Sequence, residues 1–581
     1  MRFTLLLFFF VILIKFLSAS DWQTYYEKSG FKKTPRYKET IEFCERLSSE
    51  SAWVYYTGFG ISPQGRELPL VIVDKDGNFS VDKVKKSKKA IILIEAGIHA
   101  GEIDGKDAGL MLIRDLVIEK KYSGLLDNTT ILFIPIFNVD GHERFGPYNR
   151  FNQNGPDEMG WRVTAQNLNL NRDFLKADSP EMQAWLKLFN KWLPDLFIDC
   201  HVTDGADYQY VVTYSLEIFG NMASSITQWT KNRFLPEIEK LMKESNFPVA
   251  PYVFFRKKHN PESGVESWAA TPRFAHGYAA VQNRPGLLIE THMLKNYKQR
   301  VSGTYQMLLN SIKIIYEEHK VLLKAVKEAD DFTKSKEFRQ QPFPLDFEMT
   351  NDSTIINFLG KKIRRQHSNI SGTEWVIYEP DIKTYQIPYF NHQTPIDLVS
   401  LPEAYIIPAE WQPVIERIKL HGIDYTILTK SKTFNIVSYK FNNVKWRNRP
   451  YEGRHPLTYE IEEIEEIREY PTGSVLIPMN QRTARVIAHL LEPNASDALV
   501  KWGFFDAIFE QKEYAEMYLL ERTAREMLQK DPELKKEFEK KVQSDSTFAN
   551  DPQARLYFFY QRSAYWDKKI NVYPVGKIMK Y

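Results

Sequence analysis

Apolar residues along the chain gather into short runs separated by polar loops. Residues 90–95, 131–137, 196–200 and 286–290 are such runs, shorter than a typical helix and rich in Ile, Leu and Phe, as strands buried on both faces are. Between the first two, residues 108–116 space their apolar positions as a helix does. Strand and helix therefore alternate, which predicts α/β architecture. Ahead of this unit the pattern predicts a helix over 38–47, a strand over 51–57 and a lysine-rich hinge over 83–89. Behind it come a helix over 303–332 and a linker over 334–343. The texture then changes. Residues 354–358, 374–378 and 459–467 alternate as strands, 411–420 and 425–428 form a helix-then-strand unit, and 514–527 and 532–542 are helical. The expected division is an α/β unit over 21–333, a β-rich α+β accessory region over 344–500 and a helical region over 501–581.

Residues 1–20 open with Arg2, pass through an apolar stretch and end on Ser18, Ala19 and Ser20. Lys15 interrupts the stretch before it reaches the roughly 20 apolar residues of a membrane span, so the segment reads as a cleaved export signal. The protein is expected to be periplasmic or secreted, with no membrane association after signal removal. Of its 581 residues 14% are aromatic and 43% hydrophobic, which excludes a mainly disordered chain. Lys and Arg number 77 against 74 Asp and Glu, a balance that offers no field for nucleic acid. With two cysteines, Cys44 and Cys200, a disulfide framework and a cysteine zinc module are excluded. Any metal must be held by His and carboxylates.

His99 and Glu102 stand three residues apart in a loop that follows a buried strand and opens a helix, so both side chains can converge on one ion. His201 ends the run 196–200. Each feature alone is common, since His-x-x-Glu arises by chance and a strand-end His often caps or packs. Catalytic zinc needs a third ligand and an open position.

The ordered set is more specific. Gly60-Ile-Ser-Pro-Gln-Gly-Arg66, His99-x-x-Glu102, Asn138-Val-Asp-Gly141, Trp161-Arg162, Asn171-Arg172, His201 and Glu290 together resemble the zinc carboxypeptidases of the M14 type, over about residues 36–325. The resemblance implies a carboxypeptidase-like mixed sheet and one zinc ion per chain, held by His99, Glu102 and His201 with water in the fourth position. It implies Glu290 as general base, Arg162 as the stabiliser of the oxyanion and Asn171 with Arg172 as the grip on the substrate's terminal carboxylate. Tyr278, twelve residues before Glu290, is the candidate for the tyrosine that caps the substrate. Peptide or protein C-termini would be the substrates. Two positions depart from the family pattern: Asn169 stands where many members have an Asp that supports the first ligand, and Gly101 stands where digestive members have an arginine between the two ligands. Cys200 is expected to pack in the core, and Asp204 either orients the third ligand, meets the substrate or is solvated. Rival readings are a same-fold amidohydrolase acting on acyl-amino acids or cell-wall peptides, and a peptide-binding module without turnover.

Overall fold

A computed structural model describes residues 22–580; the export signal expected over 1–20 lies outside them. Eight strands form the main sheet: β1 (Val54–Ile61), β2 (Glu67–Val73), β3 (Ala90–Ala96), β4 (Thr129–Ile134), β5 (Leu196–Thr203), β6 (Val212–Leu216), β7 (Val249–Pro251) and, after a hairpin of β8 (Phe255–Lys257) and β9 (Asn260–Glu266), β10 (Gly286–His292). Their order is β1-β2-β4-β3-β5-β10-β6-β7, with β4, β3, β5 and β10 parallel in the centre and antiparallel pairs on both sides. The expected α/β fold with a mixed sheet is what forms.

Alternation sends each strand's side chains into two cores. Leu70, Ile72, Ile91, Leu93, Leu132, Ile134 and Phe197 enter one, while Val71, Val73, Ile92, Ile94, Ile131, Phe133 and Ile198 enter the other. The second core is covered by the helices Asp104–Val117 and Tyr297–Lys334. Gly105 and Gly109 bring the first of these helices onto the sheet. A Cβ at 105 would lie 2.4 Å from that of Cys200, and one at 109 would lie 2.3 Å from the Phe133 ring. Cys200 therefore faces the core, and its neighbour His201 faces the other way.

The first core does not stop at the end of the α/β unit. Trp185, Phe174 and Tyr278 share it with Ile415, Ile418, Val486 and Leu490, so no boundary near residue 340 separates two independent cores. Two segments expected as connectors are ordered elements. The expected hinge is the helix Val81–Ser87, anchored by buried Val84 beneath its lysines, and the expected linker holds the helix Lys336–Gln340, capped by Ser335 and pinned by buried Phe338.

The accessory strands are β11 (Phe343–Met349), β12 (Thr354–His367), β13 (Glu374–Phe390), β14 (Gln393–Val399), β15 (Ala404–Ile407), β16 (Thr426–Ile427), β17 (Lys432–Trp446), β18 (Leu457–Tyr470) and β19 (Val475–Pro478). The hairpin β12–β13 joins β9 and β8 in a four-stranded sheet, so this layer is built from both halves of the chain. A six-stranded sheet runs β16-β19-β15-β20-β17-β18, in which β20 (Gly576–Ile578) comes from the region expected to be helical. Helices Met517–Lys530, Pro532–Ser544 and Pro552–Tyr560 precede it. Among the described residues no helix is long and apolar enough to cross a membrane.

Candidate active site

The site forms where the central parallel strands end. β3 leads through Gly97, at φ +69°, into the loop carrying His99 and Glu102, and β5 and β10 run side by side with His201 and Glu290 as register partners. Parallel neighbours in register point to the same face, so two distant sequence positions deliver an imidazole and a carboxylate to one spot.

His99 Nδ1, His201 Nδ1 and Glu102 Oε2 converge. The separations are 3.2 Å between the nitrogens, 3.2 Å from His99 to Glu102 and 3.0 Å from His201 to Glu102. Tetrahedral zinc at its usual bond lengths sets its donors about 3.3 Å apart, so the triangle is the size such an ion requires. All three residues are buried. The outward nitrogens are occupied: His99 Nε2–H donates to Asn169 Oδ1 at 3.1 Å and His201 Nε2–H to Asp199 Oδ2 at 2.6 Å. Those bonds select the tautomers that leave both Nδ1 lone pairs facing inward. Asn169 thus stands against the first imidazole, and its Oδ1 also accepts the Asn171 N–H at 3.0 Å.

Charge is arranged to match. Burial drives the His99 pKa down to about 3, which keeps it a neutral donor. Burial also opposes the charged form of His201, but the Asp199 carboxylate outweighs it and raises that imidazole well above the ordinary value, so its Nδ1 lone pair becomes available only when a bound cation displaces the proton. Glu102 is held well below the usual carboxylate range despite burial, by His99 and by Arg150. Glu290 goes the other way: burial raises it to about 8, His201 and Arg162 pull it down without prevailing, the Glu102 and Asp199 charges add to burial, and its Oε2 has no hydrogen-bond partner among the described residues. An unpaired carboxyl beside three convergent donors is suited to moving a proton.

A cavity of about 680 Å³ opens onto this centre, lined by His99, Glu102, His201, Glu290, Arg162, Asn171, Arg172 and Asp204 among others. Arg162 Nη1 donates to Glu102 Oε1 at 3.1 Å. The Arg172 guanidinium lies 4.4 Å from the Phe274 ring centroid, and Asn171 accepts from the Ala275 N–H through Oδ1.

Tyr278 is the exception. It is fully buried in the first core against Phe174, Trp185 and Phe189. Its hydroxyl donates to His421 Nδ1 at 2.8 Å and accepts from Gln282 Nε2 at 2.7 Å. It does not line the cavity and cannot cap a substrate there. Distance from Glu290 in sequence does not decide which face of the helix Ala275–Val281 a residue occupies, and on that helix His276 lines the cavity. The tyrosine that does line it is Tyr252, whose phenol is pushed up by burial and then by the Glu290 charge, leaving a neutral hydroxyl.

Sequence reasoning also missed Arg150 and Asp199. Arg150 Nη2 donates to Glu102 Oε1 at 2.7 Å, and its stem crosses Gly101 so closely that a Cβ there would lie 2.8 Å from Arg150 Cγ. The absent side chain at 101 is the space through which Arg150 reaches the site. Asp199 carried a usable signal, since a carboxylate two residues before a strand-end His shares its face; Arg150 and Tyr252 come from loops that carry none.

Comparison with known proteins agrees with this geometry. The family model for zinc carboxypeptidases of the peptidase M14 type matches residues 40–246. Carboxypeptidase 2 of Trichophyton rubrum is 23% identical over 492 residues, spanning 81% of this chain and 84% of the relative, so the likeness extends into the accessory region. Carboxypeptidase Z of Gallus gallus is 29% identical over 149 residues, 24% of this chain and 21% of its own. Among solved structures, the carboxypeptidase A of Helicoverpa armigera covers 52% of this chain and 75% of its own, at 17% identity and a TM-score of 0.37.

Proposed function

We propose, from the premise that this chain belongs to the zinc carboxypeptidases of the M14 type, that it is an exported enzyme removing residues one at a time from the C-termini of peptides. The observation that carries the reading is a single cavity lined by three convergent donors, an unpaired buried carboxyl and the guanidiniums of Arg150, Arg162 and Arg172. The donor set of two imidazoles and one carboxylate, with inward lone pairs, fits one zinc ion on His99, Glu102 and His201. Bound there, zinc supplies Lewis acidity that polarises a carbonyl and makes water nucleophilic near neutral pH.

The protein's own residues do the rest. Arg172, with Asn171, receives the terminal carboxylate, which a planar guanidinium can hold through two parallel hydrogen bonds. Internal peptide bonds offer no such group, and this makes the enzyme an exopeptidase. Glu290 takes the proton from attacking water at its unpaired Oε2 and returns it to the departing amine. Arg162, joined by Arg150, meets the negative charge that grows on the scissile carbonyl oxygen, a preorganised contact typically worth about 3–4 kcal/mol. Tyr252 offers its hydroxyl as a neutral donor beside Glu290. Asn169 and Asp199 hold the imidazoles in their metal-ready tautomers.

The test is digestion of a mixed peptide library by zinc-loaded protein, read by mass spectrometry beside a Glu290→Gln variant and C-terminally amidated copies. Stepwise loss of terminal residues, abolished by both changes, is expected. Internal cleavage, or cleavage of amidated peptides, overturns the role of Arg172; turnover of acyl-amino acids alone makes the protein a deacylase.

A further inference from the structure

The mouth of the cavity carries more aromatic surface in water than its floor requires. Phe151 is 102% exposed, Phe254 51% and Trp268 42%, and all three line the cavity. Single exposed apolar side chains are ordinary, but several around one opening mark a binding surface.

They stand on separate segments, each tied down. The loop that displays Phe151 is fastened on both sides of the ring: Asn149 Nδ2 donates to the carbonyls of Arg144 and Met159, both at 2.7 Å, and Gln153 Nε2 to those of Gly101 and Gly155 at 2.9 and 3.0 Å. Phe254 and Trp268 flank the β8–β9 hairpin and meet edge to face, with centroids 5.2 Å apart; Trp268 also touches Tyr252, 6.3 Å away. The backbone on either side of Trp268 is bonded to accessory residue Gln393, through Ser267 O at 3.0 Å and Ala269 N at 3.1 Å. The backbone beside Phe151 and Trp268 is held by these bonds, and Phe254 and Trp268 steady each other, so a ligand meets a surface whose segments need not be ordered first.

We propose that Phe151, Phe254 and Trp268 form a subsite for apolar, above all aromatic, side chains one or two residues upstream of the residue removed. The assignment rests on the carboxypeptidase reading. A chain whose terminal residue sits inside the cavity leaves through the mouth, and its preceding residues pass between these rings. The same cavity is lined by Tyr252, which meets Trp268, and by Phe274 beneath Arg172. The accessory region, through Gln393, helps build the wall that reads the substrate.

Two readouts test this. Binding of blocked tripeptides ending in the same residue, with Phe-Phe or Gly-Gly upstream, is measured calorimetrically on the zinc-loaded Glu290→Gln protein; kcat/KM for the same pair is measured on the active enzyme. Burying one phenyl ring predicts a preference of about 10–100-fold for the aromatic peptide. In a Phe151→Ala/Trp268→Ala protein that ratio should fall to near one, with Trp268→Phe recovering most of it. A ratio near one in the parent, or the same ratio in the double variant, overturns the subsite. Equal trimming of both peptides removes the subsite and leaves the peptidase; tight aromatic binding without trimming does the reverse. Self-association abolished by Phe151→Ala in sedimentation, without peptide preference, would make the rim a contact between copies and overturn the proposal.

Discussion

The three convergent donors and the cavity wall lie side by side, yet the chain builds them in different ways. His99, Glu102, His201 and Glu290 follow or occupy the central parallel strands, whose register leaves little freedom in where they point. Tyr252, Phe254, Trp268 and Arg150 come from loops or from the flanks of a hairpin. The proposed chemistry rests on strand geometry, and the proposed substrate contacts are fastened beside it by side-chain hydrogen bonds such as those of Gln153 and Gln393. The first kind of residue should tolerate no substitution; the second should tune.

The largest expected effect tests the first half of that contrast. His201→Ala or Glu102→Ala should abolish both stoichiometric zinc, read by elemental analysis, and activity. Glu290→Gln should keep the metal and lower kcat by about 10²–10⁴-fold. The same residue sets an acid limb. As a base it must be deprotonated, so kcat/KM should rise with pH, with an apparent pKa below about 8 because a bound cation pulls Glu290 down from the value that burial gives it; the residual activity of the variant should lose this limb. Next come the groups behind the ligands. Asn169→Ala and Asp199→Ala should each weaken zinc by about 10–100-fold in chelator competition, and Asn169→Asp should strengthen it. The smallest effects separate the two tyrosines. Tyr252→Phe should lower kcat/KM by about tenfold, the worth of one hydrogen bond. Tyr278→Phe should leave kcat/KM intact and reduce stability in urea unfolding by about 1–3 kcal/mol, because His421 Nδ1 loses its buried partner.

Legibility in the sequence followed the same division. The apolar runs over 90–95, 131–137, 196–200 and 286–290 declared both the strands and the residues at their ends, because a doubly buried strand has few alternatives. Motif positions away from the chemistry prove to be braces. Asp140 accepts from Ser62, from Arg66 and from the Gln64 N–H, and Asn138 donates to the Arg162 carbonyl. Tyr278 was misread because a helix presents every residue to some neighbour, and composition does not say which. The accessory region was legible as strands but not as partners. Arg454 pairs with Asp178 at 2.6 Å, and Glu452 accepts the Asn169 N–H at 3.0 Å; both contacts span more than 270 residues and no local pattern announces them.

The position of β20 bears on how the molecule assembles. It lies between β15 and β17 and, among the described strands, is the one that pairs with both the β16-β19-β15 half of the sheet and the β17–β18 hairpin. Both halves are complete in sequence by Pro478, and β20 begins at Gly576. At ordinary rates of synthesis that gap lasts about 5–20 s. Two open strand edges wait through it unpaired, each a template for wrong partners. This opening for wrong pairing falls late, after the strands of the main sheet have been made, and a helper that shields β15 and β17 in that interval should raise the yield of folded protein.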